Sequence, residues 1–150
     1  MDLSNVLAIN EKPGLYKLIT KNKSSFIVES LLDQKRFPAF SHDGISSLDN
    51  IAIYTSEEDI FIEKIFEIIY NKENGTSIQN IFSDNAKMKS YFEEVLPNYD
   101  KDRVYVSNIK KVLLWYNILV ENKILTQEAI DQANNQEENK ESKGDGEVAP

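Results

Sequence analysis

Cysteine is missing from this chain of 150 residues, which removes disulfides, thiolate nucleophiles and cysteine-based metal sites together. Histidine is nearly missing. His42 stands alone, so Ser-His-Asp triads and histidine-rich metal sites have one candidate between them, and Asp43-Gly44 beside it is a turn dipeptide. Of the five glycines, Gly14, Gly44 and Gly75 sit at turn signals, and no spacing among the five could cradle a phosphate. No run approaches the roughly 18 apolar residues of a membrane helix. The most apolar stretch, Val112 to Val120, is interrupted by Asn117. The first residues, Met1-Asp2-Leu3-Ser4-Asn5, have neither a basic nor a long apolar stretch, so no secretory leader is read there and the cytoplasm is the expected compartment.

An excess of one charge is present, but it is local. The formal charge of −8 divides into −2 over residues 1–58, −1 over 59–125 and −5 over 126–150. The acidity belongs to the last segment, and the remainder is nearly neutral. Net charge therefore neither excludes nucleic acid nor argues for it.

The apolar pattern changes period once. Val6–Ile9, Leu15–Thr20, Ser25–Ser30, Arg36–Phe40 and Leu48–Tyr54 read as short strands joined by turns at Pro13-Gly14, Asn22-Lys23-Ser24 and His42-Asp43-Gly44. Pro38 assigns its strand to an edge or a bulge. Closure would remove exposed edges, so the expectation is a small SH3-like β-barrel over residues 1–57. From Ser56, read as a capping residue, the period becomes helical. A helix is expected over about 58–71 and a short helical piece over Ile78–Phe82. A second helix follows Ser83, with Met88, Tyr91, Phe92, Val95 and Leu96 in a stripe. A third follows Ser107, with Ile109, Val112, Leu113, Tyr116, Leu119 and Val120 on one face. The fold class is α+β, with a three-helix unit over 58–125. Residues 126–150 form an acidic tail in which Thr126 could cap a short helix through Ala133, while 134–150 have no apolar period and read as disordered.

Chemistry is sparse. Glu57-Glu58 and Glu93-Glu94 are adjacent pairs, which point about 100° apart on a helix and make no two-carboxylate site alone. No enzyme, metal or cofactor is expected. Binding is better motivated. Lys35-Arg36-Phe37 precede Pro38 on the edge strand, where ligands dock. Tyr99, Arg103 and Tyr105 lie in a mixed-charge loop before a helix N-terminus. Trp115, off the main stripe, is either an exposed anchor or packing between helix and barrel. Phe26 and Tyr54 read as core. The expectation is a non-enzymatic binding or adaptor module with a protein partner and no membrane partner. The alternative is an RNA- or ribosome-associated protein using a basic edge formed by Lys17, Lys21, Lys23, Lys35 and Arg36, joined by Lys110 and Lys111.

Three groups of residues carry a resemblance. They are Lys12-Pro13-Gly14-Leu15-Tyr16-Lys17-Leu18; Ile27-Val28-Glu29-Ser30-Leu31 with Lys35-Arg36-Phe37-Pro38-Ala39; and Phe92-Glu93-Glu94-Val95-Leu96-Pro97 through Asp100, Arg103-Val104-Tyr105-Val106-Ser107 and Ile109-Lys110-Lys111. Together they resemble an uncharacterised Bacteroidetes family built from an N-terminal and a C-terminal domain of unknown function, side by side. The resemblance spans roughly residues 1–125 and leaves out the tail. It implies a bacterial cytoplasmic protein of two small adjoining units. It implies no activity, so no site residue comes with it.

Overall fold

The computed structural model describes residues 3–12 and 14–134; the expected disorder of 134–150 lies, past residue 134, outside them. The expected strands appear as β1 (Val6–Ile9), β2 (Tyr16–Lys21), β3 (Phe26–Ser30) and β4 (Arg36–Ala39), followed by β5 (Ile45–Ser47). They form one antiparallel sheet in the order β4-β3-β2-β1-β5. One face of it carries Leu7, Ile9, Tyr16, Val28 and Ala39, with Leu18, Phe26, Phe37 and Ile45 packed against them. Val28 and Ala39 are fully buried although no helical residue joins this cluster. The sheet therefore curls over its own apolar face.

The curl does not close. Among the described residues β4 and β5 are the two edges, with no ladder between them, so the expected SH3-like barrel is replaced by an open five-stranded sheet. The reason lies in the chain after β4. A 3-10 turn at Ser41–Asp43 and a left-handed Gly44 carry it across to the β1 side. There Asn10 N–H donates to the Gly44 carbonyl at 3.0 Å. Pro38 has no N–H to offer a closing strand.

The strand expected over Leu48–Tyr54 is divided. Leu48–Asn50 turn as a 3-10 helix, which buries Leu48 completely. The remainder is the two-residue β6 (Ala52–Ile53), paired with β7 (Ile60–Phe61). Ser56 caps nothing. Residues 55–59 are a loop in which Thr55 Oγ1 accepts from Glu57 N–H (3.0 Å) and donates to the Glu58 carbonyl (2.6 Å).

Helix α1 (Ile62–Glu73) begins after Phe61. Helix α2 (Asn85–Val95) is capped by Asp84, whose side chain accepts from Lys87 N–H at 3.1 Å, not by Ser83. Helix α3 (Val106–Glu121) starts after Tyr105, where Asn108 Oδ1 accepts from Tyr105 N–H at 2.9 Å; Ser107 is already inside it. Residues 127–134 are also helical, with Thr126 Oγ1 accepting from Ala129 N–H, so the expected three-helix unit has a fourth helix. The helical piece expected over Ile78–Phe82 is irregular instead, with a bend at Asn80 and a turn at Phe82.

One core joins sheet and helices. Leu3, Val6, Leu15, Leu31 and Leu48 pack with Ile62, Phe66, Phe92, Ile109, Leu113 and Tyr116, and Leu125 and Ile130 complete it. Residues 126–134, grouped with the tail on composition, thus bury Ile130 in the common interior. Among the described residues no helix is long and apolar enough to cross a membrane.

Candidate functional site

Helix α3 turns its inner stripe into the core and leaves its flank facing β1 and β6. Ile109, Val112, Leu113 and Tyr116 are buried, whereas Lys111 and Leu114 are exposed and Trp115 is half-buried. A cleft of about 210 Å³ lies between this flank and β6, lined by Ile53, Tyr54, Arg103, Asn108 and Val112 among others. A second hollow of about 430 Å³ continues it toward β1 and β5, past Ala8, Glu11, Lys12, Ser46 and Leu114. Ile51, Lys111 and Trp115 line both, so the two are one groove with the indole at its middle.

Arg103 guards one end. Its guanidinium lies 4.1 Å from the centroid of the Tyr54 ring, and its Nε donates to Asp100 Oδ2 at 2.8 Å. That hydrogen bond pulls the Asp100 carboxyl below the usual aspartate range and pushes Arg103 up. Asp100 also accepts from its own loop, at Asp102 N–H (2.9 Å). The loop is stapled to β6 where Asp100 N–H donates to the Tyr54 carbonyl at 2.9 Å and Ser56 N–H to the Asn98 carbonyl at 2.9 Å. The Arg103–Tyr54 pair is therefore held in place before anything binds. At the other end Lys12 places its ammonium 4.6 Å from the centroid of the Phe37 ring. Lys111, at the middle, has no ion-pair partner among the described residues. Against Lys12, Arg103 and Lys111 the groove lining has one acid, Glu11.

The residues expected to bind divide among four places. Arg103 and Trp115 meet in the groove. Arg36 and Phe37 lie on β4 at the far edge of the sheet, with Lys35 just before it. There Arg36 pairs with Glu29 at 3.0 Å, and Phe37 packs edge-on against Tyr16 with centroids 5.4 Å apart. Lys12 alone links that strand to the groove. Tyr99 is buried edge-on against Phe92, and burial raises its hydroxyl above the ordinary tyrosine value. Tyr105 is 64% exposed and lines neither part of the groove. Tyr54, expected in the core, is 44% exposed and forms a wall. Lys111 and Ser46 were not singled out as groove residues by pattern, because strand and helix periodicity do not say which flank stays uncovered. The one usable signal was Trp115 standing off its helical stripe.

Comparison with known proteins locates two family matches on the chain. "Domain of unknown function (DUF5606)" matches residues 3–48, and "Domain of unknown function (DUF6852)" matches residues 51–119. A solution NMR structure of a Bacteroides vulgatus protein, a structural-genomics target, is similar at 44% identity. The match covers 83% of this chain and 90% of that one, with a TM-score of 0.69. No curated protein matches.

Proposed function

Because the chain belongs to a Bacteroidetes family that joins these two domains of unknown function, a family that brings no activity with it, we propose from the groove alone that it is a non-enzymatic binding module for a protein partner. The carrying observation is the pre-set wall of Tyr54, Arg103 and Trp115 around an open cleft. Trp, Tyr and Arg are the residues that dominate protein-binding hot spots, because they offer large rigid contact area with a polar handle. The groove also sits where the two matched domains meet, with Ser46 from one and Lys111 and Trp115 from the other. Both domains are needed to form it.

RNA recognition along the sheet is the weaker reading. Lys17, Glu29 and Arg36 are neighbours across β2, β3 and β4. Glu29 thus stands between the two cations and is paired with Arg36, which interrupts the stripe that phosphates would follow. The protein reading is tested with the full chain immobilised as wild type, Lys111→Glu and Tyr105→Ser. One set of proteins retained by wild type and Tyr105→Ser but lost by Lys111→Glu is the expected result. A set unaffected by Lys111→Glu would remove the groove from the account.

A further inference from the structure

The two edges of the sheet are not equivalent, and the difference can be read from the ladder. Ser30 N–H donates to the Lys35 carbonyl at 2.9 Å, which makes Ser30 and Lys35 a hydrogen-bonded pair. Antiparallel pairs alternate, so Glu29–Arg36 and Ile27–Pro38 are non-bonded pairs and the backbone of Arg36 and Pro38 faces outward. Pro38 has no N–H. Phe40, next in that outward row, spends its N–H on Asp43 Oδ2 at 2.8 Å, and its carbonyl accepts from Asp43 N–H at 2.9 Å. Edge β4 is blunted twice over.

Edge β5 has no such device. Asn10 N–H donates to the Gly44 carbonyl at 3.0 Å, so the next pair, Ile9–Ile45, is non-bonded, and Leu7–Ser47 is too. The β2 side agrees. Leu18 N–H donates to the Asn5 carbonyl at 2.9 Å, which makes Leu7–Tyr16 the bonded pair and commits Leu7's backbone to β2. The N–H and C=O of Ile45 and the N–H of Ser47 therefore point away from β1, with no hydrogen bond to them among the described residues, while the Ser47 carbonyl opens the 3-10 turn Leu48–Asn50 as its N-cap. Ser46, between them, directs its side chain into the groove beside Ile51 and Trp115.

We infer that the partner enters as an extended segment that adds a strand to β5, laying alternate side chains into the groove. This rests on the reading of the groove as a protein-binding surface and names its mode. Main-chain hydrogen bonds to the N–H and C=O of Ile45 and to the N–H of Ser47 would supply affinity, and side-chain pockets specificity. The side chains that reach the groove are apolar against Trp115 and Ile51, and acidic against Lys111 and Lys12. The occupant is thus an acidic, β-prone segment of another protein.

The test uses the full chain and an octapeptide alternating Val and Glu, capped at both ends. Two controls accompany it: the same peptide with Lys for Glu, and the same peptide with alternate amides N-methylated. Binding is followed by Trp115 fluorescence and by amide hydrogen exchange. Ser47 has φ −80°, which proline accepts, so Ser47→Pro removes one outward N–H without forcing the backbone. Ser47→Ala controls for the hydroxyl, which donates to the Ser4 carbonyl at 2.9 Å. The expected result is a fluorescence shift with the Glu peptide, exchange at Ile45 and Ser47 slowed about tenfold or more, and affinity weakened about tenfold by Ser47→Pro but not by Ser47→Ala. A shift without protection of Ile45 and Ser47, or equal binding by the N-methylated peptide, overturns strand addition and leaves the groove as a binding surface. Equal binding by the Lys peptide overturns the acidic occupant. No shift with any peptide overturns both. A dimer of the chain alone that dissociates on Ser47→Pro gives the edge to a second copy and overturns the inference.

Discussion

Replacing Asn117 with leucine should destabilise the protein, although hydropathy argues the reverse. Asn117 interrupts the most apolar run of the chain, and a leucine there would complete it. In the fold, however, its side-chain amide grips both backbone groups of one residue, Ile78, in the irregular segment after α1. Ile78 N–H donates to Asn117 Oδ1 at 2.7 Å, and Asn117 Nδ2 donates to the Ile78 carbonyl at 2.9 Å. Ile78 is only 4% exposed, so neither group finds water easily once the amide is gone. A buried backbone group left without a partner costs about 1–3 kcal/mol. Taken at the middle of that range, about 1.5–2 kcal/mol each, two such groups less about 1 kcal/mol regained by half-burying a leucine leave a net loss of about 2–3 kcal/mol. For a folded body of this size each kcal/mol lowers Tm by about 3–5 °C, so the fall is about 6–15 °C. Urea unfolding of wild type, Asn117→Leu and Asn117→Asp measures it, with the slope unchanged and the midpoint lowered. The aspartate keeps the acceptor but sets an oxygen against the Ile78 carbonyl, so it should fare no better than leucine. An Asn117→Leu protein as stable as wild type, or unchanged exchange at the Ile78 amide, would refute the reasoning.

Gly44 lies at φ +75°, and a Cβ there would collide with Asn10 Nδ2. Gly44→Ala should therefore cost about 1–2 kcal/mol by urea unfolding, and Asn10→Ala in the same chain should return part of it by clearing the clash. Tyr91 donates to Glu73 and is pushed well above the ordinary tyrosine range, first by burial and then by that carboxylate; Tyr116 is also raised by burial. Both hold their protons in the folded state after the unfolded chain has lost them. Stability is thus fully present below about pH 10 and falls as pH rises further, and Tyr91→Phe should flatten that fall in a thermal-melt series across the alkaline range. Asp100→Asn leaves Arg103 without its carboxylate, so an acidic peptide in the groove should bind about 2–5-fold more tightly at low salt and lose the gain at high salt; weaker binding would show that Asp100 serves to hold Arg103 in place.

The elements made by local chemistry were legible in the sequence. Alternation and turn residues located β1 to β4, Pro38 marked an edge, and Thr126 announced the last helix. Three features were hidden for one reason, since each depends on a group far along the chain. The roll stays open because a five-residue link crosses to β1 and is met there by Asn10. The strand expected over Leu48–Tyr54 divides because Leu48 is drawn fully into the core shared with α1 and α3. Ile78–Phe82 is not helical, and both backbone groups of Ile78 are held instead by Asn117 from 39 residues away.

The groove follows the same logic. Its aromatic and cationic residues could be listed from the sequence, but their grouping could not, since it depends on which flank of α3 the sheet fails to cover. Had the sheet closed into a barrel, β4 would have paired with β5 and consumed the outward backbone of Ile45 and Ser47. In the open sheet the Ile45 groups and the Ser47 N–H stay unused beside the groove, while on β4 Pro38 has no N–H and Phe40 is tied to Asp43. A protein that protects one edge with two devices and leaves the other bare next to an aromatic groove has its binding polarity built into the ladder. Proline at position 38 and proline at position 47 should therefore have opposite meanings: the first guards against pairing, and the second, introduced by mutation, should abolish it.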